Sequence, residues 1–283
     1  MKQILLFLFA HILFLSVNGH PGTGIVEDSK GNIYYTDLEQ VWKISLDGKK
    51  EVAVKNVHTH ELFMDQQDNL FGEHLWYNGE QANTWGYYVW KLTCVGSLIQ
   101  VVPKTEGFRE DYSFVRDHSG RMYWADRSQK CQHVIRKNDD DKKEQMGNHC
   151  FENIRNMKIT SDGTVYVVDF QDLKKIDPRG KLSTIATGLA DKSATTATVS
   201  NQNSVMGVWI DLDGNIYTAV TSASMVKKFT PDGAEVIAFK TSFPWSPSGG
   251  LIDSKGNLWV LEFSATNSVR VEKIGKGKDK TIF

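Results

Sequence analysis

Short runs that alternate apolar and polar residues recur along this chain, each introduced by an Asp, a Gly and often an Asn. The first is DSKGNIYYTD, Asp28 to Asp37. It reads as a hairpin corner: the Asp can bond its own turn, Gly31 is free to take positive φ, and an alternating strand rich in β-formers follows. Variants return as MDQQDNLFGEH (Met64 to His74), RDHSGRMYWAD (Arg116 to Asp126), TSDGTVYVVD (Thr160 to Asp169), DLDGNIYTAV (Asp211 to Val220) and DSKGNLWVLE (Asp253 to Glu262). The turn positions Gly31, Asp68, Gly120, Gly163, Gly214 and Gly256 recur about every 45 residues, a period of propellers, solenoids and arrays. Only the second repeat places Asp68 where the others have Gly.

A second corner follows most of the first ones: LDGK at Leu46, CVGS at Cys94, PRGK at Pro178, PDGA at Pro231 and GKGK at Gly275. Two hairpins per repeat predict a four-stranded antiparallel blade. Apolar runs such as IYY, MYW, VYVV and LWV leave such a sheet greasy on both faces, and a closed ring buries both. The expected fold is all-β, a single six-bladed β-propeller of four-stranded antiparallel blades, the last blade using its own C-terminal strand, Thr281 to Phe283.

Residues 1–19 carry Lys2 and an apolar stretch from Ile4 to Leu15 interrupted by His11. They read as a secretory signal cut near Gly19/His20, too short to be a good membrane span. The domain assignment is a signal peptide over 1–19 and the propeller over 20–283. A secreted or periplasmic protein is expected, with no membrane span in the mature chain. Net charge is −1 with both signs dispersed, which speaks against nucleic acid as a partner. A monomer is expected.

In a blade, the start of the first strand and the end of the second share one face. Blade two departs from the repeat there: HTHE brings His58 and His60 to its entry, His74 replaces the Asp found at Asp37, Asp126 and Asp169, and the aromatic insertion LWYNGEQANTWGYY follows. His58, His60 and His74 are candidate ligands for a divalent metal such as Zn. His60, His74, Tyr112, Arg155, Trp76 and Trp245 are candidate ligand-binding residues, with Tyr112 as base and Arg155 as anion clamp in a catalytic version. The rival reading has the histidines bonding loop backbone at the rim. The aromatic rings would stack on a sugar or another flat ligand, or pack the insertion down as a lid. Cys131 and Cys150 are expected to form a disulfide, leaving Cys94 alone; the alternative is a Cys/His metal site with His133 and His149.

The motif GIVEDSKGNIYYTD resembles the NHL repeat and the blades of the gluconolactonase and regucalcin family, six-bladed propellers, over nearly the whole mature chain. The resemblance implies a divalent metal at the tunnel mouth, held from positions that fall here at Thr23, Arg155 and Met206. None of these is a carboxylate or amide, so lactonase chemistry is the least expected outcome. Peptide-amidating lyase, another propeller, is similar only in combining His, Tyr and Arg at its mouth. The leading expectation is an exported propeller binding a small-molecule, carbohydrate or protein ligand at the tunnel mouth. The alternative is a metal-dependent hydrolase or lyase with a His-centred site.

Overall fold

The computed structural model describes residues 21–108, 112–138, 140, 142–190 and 203–283. The expected signal segment and its cleavage point lie outside them. Twenty-four strands form six four-stranded antiparallel sheets, each with its strands in chain order. Blade one contains β1 Ile25–Glu27, β2 Ile33–Thr36, β3 Val41–Ile44 and β4 Lys50–Val54; blade two contains β5 Leu62–Met64, β6 Leu70–Tyr77, β7 Trp85–Leu92 and β8 Leu98–Glu106. Blade three is β9 Val115–Arg116, β10 Met122–Asp126, β11 His133–Lys137 and β12 Lys143–Gln145; blade four is β13 Ile154–Ile159, β14 Val165–Asp169, β15 Asp172–Ile176 and β16 Leu182–Ala186. Blade five is β17 Val208–Ile210, β18 Ile216–Val220, β19 Met225–Phe229 and β20 Glu235–Lys240; blade six is β21 Trp245–Ile252, β22 Leu258–Ser264, β23 Val269–Ile274 and β24 Lys280–Ile282. This is the six-bladed propeller that the repeat predicts.

The repeat motif explains its own conservation of shape. Asp28 Oδ1 accepts the amides of Lys30 and Asn32, while its Oδ2 accepts the Asn32 side chain. Asp211 and Asp253 do the same, and their second oxygens also take the Tyr217 hydroxyl and the Trp259 indole N–H. One carboxylate thus fixes the turn, the next Asn and the first aromatic of the strand. Asp68 adopts φ +58 at the position where other blades use Gly. It is retained there by a clasp, because its carboxylate accepts the amide and hydroxyl of Ser29 in blade one. Glu27 holds Ser254 of blade six in the same manner.

Blade six closes with its own strand, β24 pairing with β23. No strand is shared between the ends of the ring, so side chains and close backbone approach must join blade six to blade one. Glycine makes that approach possible. Seven residues before the turn position stand Gly24, Gly207 and Gly249 in blades one, five and six. A Cβ there would meet Leu62 N at 2.9 Å, Ser248 O at 2.7 Å and Thr23 O at 2.5 Å, all backbone of the following blade. The strands touch directly, with Gly24 N donating to His60 O and Gly207 N to Ser248 O, both at 2.9 Å. Blades two, three and four carry Glu61, Ser113 and Asn156 at that position; among the described residues the seam between blades two and three is the loosest, while those after Ser113 and Asn156 are as close as the glycine seams.

Candidate functional site

The loose seam opens into a cavity of about 950 Å³ at the mouth of the ring, lined by Thr23, His60, Leu75, Phe108, Trp124, Arg155 and Met206 among others. Its position follows from the register. Thr23, His60, Arg155 and Met206 all stand eight residues before their turn positions, so four blades deliver one side chain each to the same level. Asn156, one residue deeper, reaches across the ring from blade four: its Nδ2 lies 3.4 Å from Thr23 Oγ1 in blade one, and its Oδ1 accepts Val208 N at 3.1 Å. These two bonds tie blades one, four and five together beneath the cavity.

Arg155 is the extra residue of a β-bulge, since Ile154 pairs with Asp169 and Asn156 with Val168. A bulge turns its unpaired residue out of the sheet, and here it delivers a guanidinium to the cavity wall. Arg155 donates through one terminal nitrogen to Asn203 Oδ1. Arg127 stands close by, donating to Ile154 O at 2.8 Å. Burial and the neighbouring Arg127 charge both push the Arg155 pKa down.

His60 enters the cavity with a carboxylate behind it. Glu73, 1% exposed, accepts the His60 backbone amide at 2.7 Å, and its Oε1 lies 3.5 Å from His60 Nδ1. The buried acid therefore fixes the entry strand and lies beside the imidazole, whose edge also meets the His58 ring at 4.7 Å between centroids.

The predicted trio of His58, His60 and His74 does not assemble. Glu73 and His74 are consecutive in β6 and so face opposite sides of the sheet. Glu73 holds His60, whereas His74 stacks on Tyr88 and Trp76 with centroids 5.0 and 6.0 Å away. Tyr88 packs with the blade-one core, so this stack faces blade one. Among the described residues, no group of three or more His, Cys, Asp or Glu is arranged to hold a metal ion.

The replacement of Asp by His at position 74 has a structural explanation in the repeat itself. In blade four, Asp169 accepts the amide of Asn153, sixteen residues earlier; in blade two, His74 Nδ1 accepts the amide of His58, also sixteen residues earlier, at 3.0 Å. The imidazole stands in for the carboxylate as an acceptor, which requires Nδ1 to be unprotonated. Burial and the charge of Lys104 lower its pKa, against a smaller opposing effect of Glu73. The folded state thus resists protonation, and this group's contribution to stability is complete above the unfolded value near 6.5 and declines as pH falls below it. We expect His74→Leu to cost about 1–3 kcal/mol by leaving the His58 amide without an acceptor, and His74→Asp to cost much less. Urea denaturation of the two variants checks this, and equal losses would rule out the acceptor role.

The other predicted residues divide. Trp76 lies over Gly86 on the blade-one side of the sheet. Trp245 is covered by Arg270, whose guanidinium carbon is 4.3 Å from the ring centre. Tyr112 lies beneath Arg116 at 5.3 Å and edge-on to Phe114 at 5.5 Å. Of the six candidate binding residues, His60 and Arg155 line the cavity; His74, Tyr112, Trp76 and Trp245 do not. Cys131 and Cys150 are joined by a disulfide with Cα atoms 5.0 Å apart, and Cys94 is free and exposed. Lining residues that sequence reasoning passed over are Leu75, Phe108, Trp124, Arg127 and Ile135.

The residues present do not fit the lactonase-type metal. Thr23, Arg155 and Met206 do converge on one cavity, but a hydroxyl, a guanidinium and a thioether are a poor set for a hard divalent cation. Two neighbouring arginines would also repel it.

No protein-family model matches the chain, and no curated protein matches it in sequence. Solved structures do. A virginiamycin B lyase from Staphylococcus aureus is 14% identical, with 93% of this chain and 84% of that one covered and a TM-score of 0.52. The calcium-binding regucalcin of Agrobacterium tumefaciens is 14% identical, with 85% and 81% covered and a TM-score of 0.55. A gluconolactonase from Xanthomonas campestris is 14% identical, with 86% and 84% covered and a TM-score of 0.56. Identity this low speaks for architecture and not for chemistry. What the chain shares with these lyase, regucalcin and lactonase structures is the six-bladed β-propeller fold.

Proposed function

We propose that this protein is a binding propeller whose ligand is a small molecule seated in the mouth cavity between blades two, three and four. The observation that carries the reading is the cavity itself: about 950 Å³, with an apolar part formed by Leu75, Phe108, Trp124, Ile135 and Met206 and a polar part that includes His60, Glu61, Asp126, Arg127 and Arg155. A volume of this order, with apolar surface and polar groups converging on one concave site, is usual for small-molecule sites. A second reading, a lyase or hydrolase, is favoured by the His60 and Glu73 arrangement, an imidazole at a cavity wall beside a buried acid. Export completes the proposal, supported by the apolar N-terminal stretch and by a disulfide suited to an oxidising compartment.

The test uses N-phenyl-1-naphthylamine, a neutral apolar dye that brightens on entering a dry site. The protein should bind it, and Leu75→Trp, which fills the cavity, should weaken binding about tenfold or more, the loss of roughly 1.4 kcal/mol. Unchanged binding in Leu75→Trp, with the variant folded, would place the dye outside the cavity and reject the reading.

A further inference from the structure

We infer that the ligand of this cavity is an amphipathic anion, an apolar or aromatic body carrying a carboxylate or phosphate, with its charged end at Arg155. The inference rests on the mouth-cavity reading above and deepens it.

Arg155 is unusual among the charged groups of the molecule. It sits on the cavity wall, its Nε is buried, and among the described residues that atom has no hydrogen-bond partner. A guanidinium offers five N–H donors in a planar fork and cannot shed its charge. Asn203 Oδ1 satisfies one end of it. Among the described residues no carboxylate pairs with it. Three acids also line the cavity: Glu61, Asp126, which accepts the Ser128 amide, and Glu144, which is paired with Arg136; among the described residues none of them pairs with Arg155.

The chain has also brought a second cation to the same place. Arg127 is tethered to Ile154 O, the residue before Arg155. Two guanidiniums side by side repel, and burial makes the unanswered Arg155 donor costly; an anion at Arg155 offsets both. Planar two-pronged donors match carboxylate and phosphate oxygens. The rest of the cavity decides what that anion is attached to. Leu75, Phe108, Trp124 and Ile135 offer an apolar wall, and Phe108 is 59% exposed although it stacks on Trp85. An exposed ring on a cavity wall gains most from an apolar ligand body. A free inorganic anion would use the arginines and waste the wall; a neutral hydrophobe would leave Arg155 unanswered.

Two dyes with one apolar body separate the two halves of this argument. 8-Anilino-1-naphthalenesulfonate carries an anionic group that N-phenyl-1-naphthylamine lacks. The wild-type protein should bind the sulfonate about tenfold more tightly than the neutral dye, the value of one charge-assisted contact. Arg155→Met should remove that preference, so that within the variant the sulfonate binds no more tightly than the neutral dye. Raising salt to about 0.5 M should weaken the sulfonate alone, a readout on the wild-type protein that needs no variant. Competition by phenylacetate against phenyl phosphate then tells a carboxylate ligand from a phosphate one. If the neutral dye binds and the sulfonate binds no better, or if Arg155→Met leaves the sulfonate unaffected, the anion inference falls while the cavity reading stands. If neither dye binds, the cavity reading falls, and the inference with it.

Discussion

Replacing Arg270 by Met is expected to destabilise the protein by about 3–5 kcal/mol near pH 9, because it strands a buried carboxylate without its cation. That carboxylate is Glu262, which is 0% exposed. Arg270 Nε donates to Glu262 Oε2 at 2.5 Å, and a terminal Arg270 nitrogen lies 3.5 Å from Glu272, which Lys280 approaches at 3.2 Å. Burial raises the Glu262 pKa to about 7, Arg270 opposing and Glu272 adding to the rise. Between its usual value of 4.5 and about 7 the folded form therefore holds a proton that the unfolded chain has lost. Wild-type stability should fall as pH rises through that window, by roughly 3 kcal/mol from this group, and level off above it. In the variant the stranded charge disappears once Glu262 is protonated. The deficit should then shrink to about 1–2 kcal/mol near pH 5, where only packing and a neutral contact are missing. Urea midpoints of both proteins at the two pH values decide the matter: an equal deficit would mean that Glu262 is not the stranded charge.

The second large effect is expected in the blade that borders the cavity. Trp90 is 1% exposed, and its indole donates to Glu73 O at 3.0 Å while lying against Gly72 on the adjacent strand. Trp90→Ala should cost about 3–5 kcal/mol through the cavity it leaves. Gly72→Ala should cost about 1–3 kcal/mol by a different route, since the added methyl would fall inside the indole ring and displace it. The two changes compete for one volume. The double variant should therefore lose less than the sum of the single losses, with a coupling of about 1 kcal/mol or more. Strict additivity in denaturant melts would show that the ring and residue 72 do not share space. Because Trp90 also bonds the backbone beside Glu73, the Trp90→Ala protein should in addition bind the neutral dye more weakly, through a displaced His60.

The fold was legible because its determinants are local and repeated. Asp28, Asp211 and Asp253 each organise their turn through atoms within six residues. A motif of that kind announces itself wherever it occurs, and six copies at even spacing left little freedom about the architecture. The GKGK corner shows how far such a reading goes. A hairpin forms there, yet the residue with positive φ is Lys278 at +66, and neither Gly275 nor Gly277 takes that role. A strand partner fixed the register, and the turn type followed.

The site was legible only in part, for reasons the blade-two strand makes plain. Departure from the repeat at His60 and His74 was visible, and it was reasonable to join the two. They separate because alternation in β6 sends Glu73 and His74 to opposite faces, and because His74 performs the acceptor role that Asp169 performs in blade four. A change of residue type at one position concealed an unchanged hydrogen bond. Arg155 and His60 were found because the offset from the turn places them at the mouth whichever way the blades pack.

Sequence alone determined the number of blades, their four-stranded antiparallel make-up, the corners and the level at which Thr23, His60, Arg155 and Met206 stand. All of these depend on residues close in the chain, where hydrogen bonds and strand alternation have a fixed period. Tertiary structure alone decided which seam opens. That choice depends on backbone approach between blades: Gly24, Gly207 and Gly249 let strands meet, yet the seams after Ser113 and Asn156 close without a glycine and the one after Glu61 does not. The same long-range geometry brought Arg127 beside Arg155 and turned Trp124 and Phe108 from plain blade and linker residues into cavity wall. Contacts of this kind join residues tens of positions apart, and no local pattern records them, because each partner obeys its own blade's period and meets the other only when the ring closes.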